Sequence, residues 1–178
     1  MTNMNQHVFA AMSGGVDSSV AAYLLTRAGY AVTGATMTLY RPEGQTGDTQ
    51  DVTDARAICE KLGIPHVTYD MGEVFCRCVI EDFIRVYEAG GTPNPCVTCN
   101  KTIKFGALWE AVTKDGAEAI ATGHYARTEN GALCKGRPAN DQSYMLCRLL
   151  PEQVSRLLLP LGGYEKRDVR AMAERYGI

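Results

Sequence analysis

Apolar and polar positions follow two different periods along the chain, and their succession predicts an ordered series of strands and helices. A short apolar run at 7–12 predicts the first strand, and the amphipathic stretch at 20–27 predicts the helix that follows it. The same patterns predict strands at 31–37, 66–69 and 117–122 and helices at 51–62, 73–89 and 103–112. Because strands alternate with helices, we expect an α/β fold with a doubly wound parallel sheet.

Glycine, proline and asparagine mark the predicted breaks between these elements. Residues 41–48 and 90–95 are rich in such breakers and are predicted to be irregular loops. The Asn130-Gly131 pair predicts a hairpin that joins residues 126–129 to residues 132–135. After Pro138 the pattern is helical, with a last helix at about 165–176. We therefore divide the chain into an α/β domain at 1–137 and a helical extension at 138–178.

Composition narrows the class of protein without naming a function. The chain has 178 residues, 46% of them hydrophobic, and a net charge of −2, which excludes a disordered tail, a collagen-like rod and a highly basic nucleic-acid coat. No apolar run approaches the roughly 20 residues of a membrane span, and residues 1–6 do not look like a secretory signal. We therefore expect a cytoplasmic protein without membrane contact, whose seven cysteines are free thiols.

The loop Ser13-Gly14-Gly15-Val16-Asp17-Ser18 lies between the first strand and the first helix. Glycines allow a tight bend and close approach of a ligand, and amides at a helix N-terminus favour an anion such as phosphate. Asp17 would repel bare phosphate, so it is expected to cap the helix or to hold Mg²⁺. The loop lacks the lysine of the common phosphate loop. A plain Gly-Gly turn is the alternative interpretation.

Four strings, taken in order, carry a resemblance to a known family. They are residues 13–19 (SGGVDSS), 92–106 (TPNPCVTCNKTIKFG), 121–127 (ATGHYAR) and 141–144 (DQSY). The first resembles the signature of the ATP pyrophosphatase superfamily, and the set resembles the tRNA-specific 2-thiouridylase family from about Val8 to the end of the chain. The resemblance implies a Rossmann-like domain of the adenine nucleotide alpha hydrolase type at 1–137. It also implies ATP-dependent adenylation of a tRNA wobble uridine at its C2 oxygen, followed by replacement of that oxygen with sulfur.

The resemblance also implies roles for individual residues, with ATP and Mg²⁺ as cofactors and with tRNA and a persulfide sulfur donor protein as partners. The nucleotide site would consist of Ala11, Met12, Ser13, Gly14, Gly15, Val16, Asp17, Ser18, Met37 and Gly123. Contacts to tRNA would come from Asn94, Pro95, Cys96, His124, Asn140, Asp141 and Gln142. The catalytic residues would be Cys99, Cys96 and Asp17.

The Cys96–Cys99 pair leaves three interpretations open. The two cysteines are incidental, they perform thiol chemistry, or they supply part of a zinc or iron–sulfur site that needs further ligands. For thiol chemistry we expect Cys99 near a helix N-terminus, where the helix field, Lys101 and Lys104 would favour its thiolate.

Two departures from the family bear on function. Many members carry Asp where this chain has Cys96, and the family continues into further domains that hold its second, sulfur-carrying cysteine. The chain by itself is therefore expected to bind ATP but not to complete sulfur transfer by the usual two-cysteine route. The alternative functions are a catalytically incomplete nucleotide-binding module, and a sulfurtransferase with the same loop that acts on a small molecule or holds a cysteine-ligated iron–sulfur cluster.

Overall fold

A computed structural model describes residues 6–40 and 47–178 of the chain. Its strands are β1 (His7–Ala11), β2 (Ala31–Thr38), β3 (His66–Asp70), β4 (Ala119–Ala121), β5 (Ala126–Glu129), β6 (Ala132–Lys135) and β7 (Leu157–Leu158). Five of them form one parallel sheet in the order β3-β2-β1-β4-β7, and β5 and β6 form a separate antiparallel hairpin. The expected doubly wound sheet is confirmed, and its strand order reverses between β1 and β4.

The helices cover both faces of this sheet. They are α1 (Val16–Arg27), α2 (Gln50–Leu62), α3 (Gly72–Phe75), α4 (Glu81–Glu88), α5 (Pro95–Cys99), α6 (Leu108–Lys114), α7 (Pro151–Val154) and α8 (Lys166–Tyr176). Two π-helical segments, Cys76–Ile80 and Asn100–Ala107, join α3 to α4 and α5 to α6. Short 3₁₀ turns lie at Pro138–Asn140 and Ser143–Leu146. In the described part of the chain, no helix is both long enough and apolar enough to cross a membrane.

Successive residues of β1 serve opposite faces of the sheet, as the period of a strand requires. Val8 and Ala10 pack in a buried cluster with Leu25 of α1 and Ala55 of α2. Phe9 is 2% exposed and packs on the other face, in a cluster with Leu108 of α6. The central strand is therefore buried on both sides, and its polar loop can emerge only at its carboxyl end.

The loop predictions are confirmed in part. The hairpin at Asn130-Gly131 forms with the predicted strands. Pro95, expected in an irregular loop, is instead the first residue of α5. A proline is well suited to this position because its missing N–H would have no helical partner, and Asn94 caps the helix by accepting from the Val97 N–H at 3.3 Å. Most of the predicted loop at 41–48 lies outside the described residues.

The helical prediction for 138–178 is wrong in one place, because β7 extends the central sheet beside β4. A two-residue strand has no periodicity by which the sequence could reveal it. The last helix, α8, forms as expected and packs against α1, where Val169 joins the buried cluster that contains Val20. The division of the chain at residue 137 stays a prediction.

Candidate active site

The loop between β1 and α1 is closed by its own serines. Ser18 Oγ accepts from the Ser13 N–H at 3.2 Å and donates to the Gly15 carbonyl at 2.9 Å. Within residues 6–40 and 47–178, no hydrogen bond uses the amides of Gly14 or Gly15. The loop is therefore held in shape while two of its donors stay available to an anion.

Two glycines of this region are required by the space around them. Gly14 has a φ of +72°, and a Cβ there would lie 2.9 Å from the Asp54 Cβ and 3.0 Å from the Asp51 carbonyl oxygen. Gly123 follows β4, and a Cβ there would lie 2.8 Å from the backbone carbonyl carbon of Asp17. Both glycines thus allow a backbone contact that any side chain would prevent.

A cavity of about 300 Å³ opens at the point where the strand order reverses, which we call the switch-point cavity. Open α/β sheets bind their ligands at this position. It is lined by Ala11, Met12, Ser13, Asp17, Ser18, Met37, Lys104, Thr122, Gly123, His124 and Gln142. The structure thus brings together seven of the ten residues predicted for the nucleotide site. The other three, Gly14, Gly15 and Val16, belong to the adjoining loop.

Asp17 faces this cavity with both of its oxygens occupied. The Tyr125 hydroxyl donates to Oδ1 at 2.7 Å, and Lys166 Nζ lies 3.2 Å from Oδ2. The expectation that Asp17 caps α1 is wrong, since Gly15 is the N-cap and Asp17 lies inside the first turn. Burial and the bond to Asp17 raise the pKa of Tyr125, so Tyr125 remains a hydrogen-bond donor.

The oxygens around Asp17 fit a hard divalent cation. Its carboxylate and the hydroxyls of Ser13 and Ser18 line the same cavity. Mg²⁺ prefers such oxygen ligands. A cationic group, the ammonium of Lys166, already lies against the carboxylate, so this site has the charge that a cation needs.

A second cavity, of about 230 Å³, lies beside the first, and we call it the cysteine cavity. It is lined by Phe75, Val79, Pro95, Cys96, Cys99, Asn100, Lys104, His124 and Met145. Lys104 and His124 line both cavities. The two predicted cysteines therefore lie one side chain away from the switch-point cavity.

The structure corrects the environment expected for Cys99. Because α5 begins at Pro95, Cys96 lies in its first turn, whereas Cys99 is the last residue of α5, at the start of a π-helical segment. Burial raises the pKa of the Cys99 thiol, the ammonium of Lys104 opposes this, and Cys96 adds to the rise. The predicted influence of Lys104 thus has the right sign, but it does not overcome burial.

His124 is buried between the two cavities and is bonded to its own strand end. Its Nδ1 lies 2.7 Å from Thr122 Oγ1. Burial, with a smaller contribution from Lys104, lowers the pKa of His124 to about 3. The imidazole is therefore neutral near pH 7, and it can orient a ligand by hydrogen bonds.

The remaining predicted tRNA contacts are divided between the cavity wall and structural turns. Gln142 lines the switch-point cavity and accepts from the Tyr125 N–H at 3.0 Å. Asp141 lines neither cavity, because its carboxylate accepts from the Gly136 N–H at 2.7 Å and from the Ser143 hydroxyl at 2.9 Å. Burial opposes ionisation of Asp141, but these bonds lower its pKa. Asn94 and Asn140 also lie outside the lining of both cavities.

The described residues offer no complete metal site to the cysteine pair. Within them, no group of three His, Cys, Asp or Glu side chains is arranged to hold a metal ion. A zinc or iron–sulfur site at Cys96 and Cys99 would therefore need ligands from outside the described residues.

Sequence reasoning missed three residues of the switch-point cavity and its rim. Thr122 and Tyr125 flank His124 in a string that had already been singled out. Lys166 gave no signal at all, because it meets Asp17 across 149 positions of sequence. Such a contact follows from the packing of α8 on α1 and not from any local pattern.

Comparisons with known proteins agree with this architecture. A family model described as "tRNA methyl transferase HUP domain" matches residues 6–178. The chain is 49% identical over 173 residues to a tRNA-specific 2-thiouridylase MnmA of Acidithiobacillus ferrooxidans, covering 94% of this chain and 49% of that relative. It is 47% identical over 192 residues to the protein of the same name from Geotalea uraniireducens, covering 99% of this chain and 51% of the relative. The chain thus spans about half the length of the curated relatives it matches.

Solved structures show the same fold at low sequence identity. A 4-thiouridine synthetase in complex with RNA and bound ATP matches with a TM-score of 0.62 and 16% identity, covering 97% of this chain and 41% of that one. An NMN synthetase from Francisella tularensis matches with a TM-score of 0.54 and 17% identity, covering 97% of this chain and 62% of that one.

Proposed function

The chain belongs to the tRNA methyl transferase HUP domain family, and from that premise we propose that it activates a tRNA uridine with ATP for replacement of the C2 oxygen by sulfur. The observation that carries this proposal is the shared wall of Lys104 and His124 between the switch-point cavity and the cysteine cavity. The names of the curated relatives support tRNA 2-thiolation as the reaction.

The switch-point cavity serves the activation step. The free amides of Gly14 and Gly15 hold the triphosphate, and Met37 lies against the adenine. The uridine C2 oxygen attacks the α-phosphorus, the bond to the β-phosphate breaks, pyrophosphate leaves and the uridine N3 proton is lost. This step is needed because a carbonyl oxygen leaves poorly, whereas AMP leaves readily.

The cation expected with ATP has an oxygen-rich place in this cavity. Asp17, with the hydroxyls of Ser13 and Ser18, would hold Mg²⁺, which would neutralise part of the phosphate charge. Within the protein, Tyr125 fixes the orientation of the Asp17 carboxylate by donating to Oδ1.

The cysteine cavity serves the sulfur step. Cys96 is exposed and Cys99 is partly buried, so Cys96 is the thiol that a donor protein reaches first. The terminal sulfur of a persulfide held there attacks the adenylated C2 carbon, and AMP leaves. Cys99 lies on the wall side of the same cavity, where the cation of Lys104 stabilises its thiolate against burial. Asn94 and Pro95, at the exposed start of α5, would meet the tRNA beside this opening.

The activation step can be tested with the 178-residue chain itself. Incubation with Mg²⁺, [α-³²P]ATP and a tRNA that carries a wobble uridine should transfer label to the tRNA, whereas the same tRNA with a wobble cytidine should stay unlabelled. Asp17→Asn should abolish labelling, while Cys99→Ser should leave it within about twofold because its thiol acts after adenylation. Cys147→Ser, at an exposed cysteine outside both cavities, is the matched control.

Two outcomes would contradict this function. If the chain bound Mg–ATP but never labelled tRNA, the catalytically incomplete nucleotide-binding module would be the better description. If label passed equally to the cytidine tRNA or to a small thiol acceptor, the chain would not be a uridine-activating enzyme.

A further inference from the structure

A lysine from the far end of the chain lies against the phosphate loop, and the reaction steps above do not use it. Lys166 is the first residue of α8, and its Nζ lies 3.2 Å from Oδ2 of Asp17. Its side chain is 47% exposed, so the ammonium group is accessible at the rim of the switch-point cavity.

The position of Lys166 is set by the packing of α8. Val169 and Ala173 are buried in one cluster with Val20 of α1 and with Tyr125, the residue that bonds to Asp17. At the other end of α8, the ring of Tyr176 stacks on Tyr23 with centroids 4.5 Å apart. The start of α8 is therefore fixed beside the loop, even though the lysine head group can move.

The charges in the loop leave a deficit that this lysine can fill. Residues 12–19 contain no lysine or arginine, and Asp17 adds a negative charge where a triphosphate would bring more. A lysine has three donors on a flexible stem and is a common phosphate ligand. By rotating about that stem, Lys166 can pass from the carboxylate of Asp17 to a phosphate oxygen beside it.

We propose that Lys166 is a phosphate-binding residue of the switch-point cavity, which binds the β- or γ-phosphate of ATP and then the pyrophosphate leaving group. The inference rests on the proposed function, because it requires ATP in this cavity. In the free protein Asp17 holds the lysine, and in the complex the lysine turns to the phosphates. The lysine missing from the loop is thus supplied by α8.

Isothermal titration of the 178-residue chain tests this proposal. Lys166→Ala should weaken binding of Mg–ATP about tenfold or more, because a charge-assisted hydrogen bond to phosphate is lost. Binding of AMP should stay within about twofold, because AMP lacks the phosphates that Lys166 reaches. Lys166→Arg, which keeps the charge, should restore most of the ATP affinity. Arg167→Ala is the control, since it removes a cation from the same turn of α8, where Arg167 pairs with Glu165.

The possible failures are distinguishable. Unchanged ATP affinity in Lys166→Ala would overturn the proposal, and so would equal losses for ATP and AMP, which would show that Lys166 acts only by holding Asp17 or α8 in place. If the wild-type chain did not bind Mg–ATP at all, the proposed function would fall, and this inference with it.

Discussion

The switch-point cavity and the cysteine cavity share two side chains but are built differently. The first depends on backbone: a bend at Gly14, free amides, and the close approach of Gly123 to the start of α1. The second depends on side chains from α5 and its π-helical continuation, which pack beside Phe75 and Val79. Backbone geometry allows few substitutions, whereas side chains can be exchanged without moving the chain. This explains how Cys96 can stand where many family members carry Asp while the loop motif is kept.

The backbone cavity is broken most severely by a methyl group at Gly123. In Gly123→Ala the added Cβ would lie 2.8 Å from the Asp17 carbonyl carbon and 2.9 Å from the Ser18 nitrogen, neither of which can rotate away. The loop must shift, so Mg–ATP affinity measured by titration should fall about 100-fold or more.

Gly163→Ala is the matched control for that variant, because a Cβ there meets nothing within 4 Å. It should bind Mg–ATP like the wild type. Near-normal affinity in Gly123→Ala would show that the cavity does not depend on this backbone contact.

The shared wall should make stability sensitive to acid. The pKa of His124 is about 3 in the folded chain, against an ordinary value of 6.5, so below pH 6.5 the unfolded state takes up a proton that the folded state refuses. The stability linked to neutral His124 is complete above pH 6.5 and is lost as the pH falls toward 3. Between pH 8 and pH 5 this one group should account for a loss of roughly 2 kcal/mol.

Urea denaturation of the wild type and of His124→Gln at both pH values measures this difference. The free energy of unfolding of the variant should fall less on acidification than that of the wild type. Parallel losses in the two proteins would contradict the burial and neutrality assigned to His124.

The side-chain cavity is altered more gently by removal of the shared cation. Lys104→Met keeps the length of the side chain but deletes the charge that opposes the rise in the pKa of Cys99. The Cys99 thiolate should become scarcer, and alkylation of Cys99 by iodoacetamide at pH 8 should slow about threefold. Lys101→Met, on the same helical segment but outside both cavities, is the control. Faster alkylation in Lys104→Met would mean that Lys104 does not stabilise the thiolate.

The same contrast explains what the sequence could predict. The strand, loop and first helix are encoded locally, so the place of the phosphate loop and the Asn130-Gly131 hairpin could be predicted from short strings. The environment of Cys99 could not, since it follows from where α5 begins and from burial against distant residues. Lys166 and Tyr125 reach Asp17 across 149 and 108 positions, and β7 is too short to show a period.

The most direct test of the central claim is a crystal structure of the chain with Mg²⁺ and α,β-methylene-ATP, an analogue that cannot release pyrophosphate. The account predicts phosphates on the amides of Gly14 and Gly15, adenine against Met37, and the α-phosphate facing the wall of Lys104 and His124 that leads to Cys99. A nucleotide bound elsewhere, or an α-phosphate turned away from that wall, would contradict it.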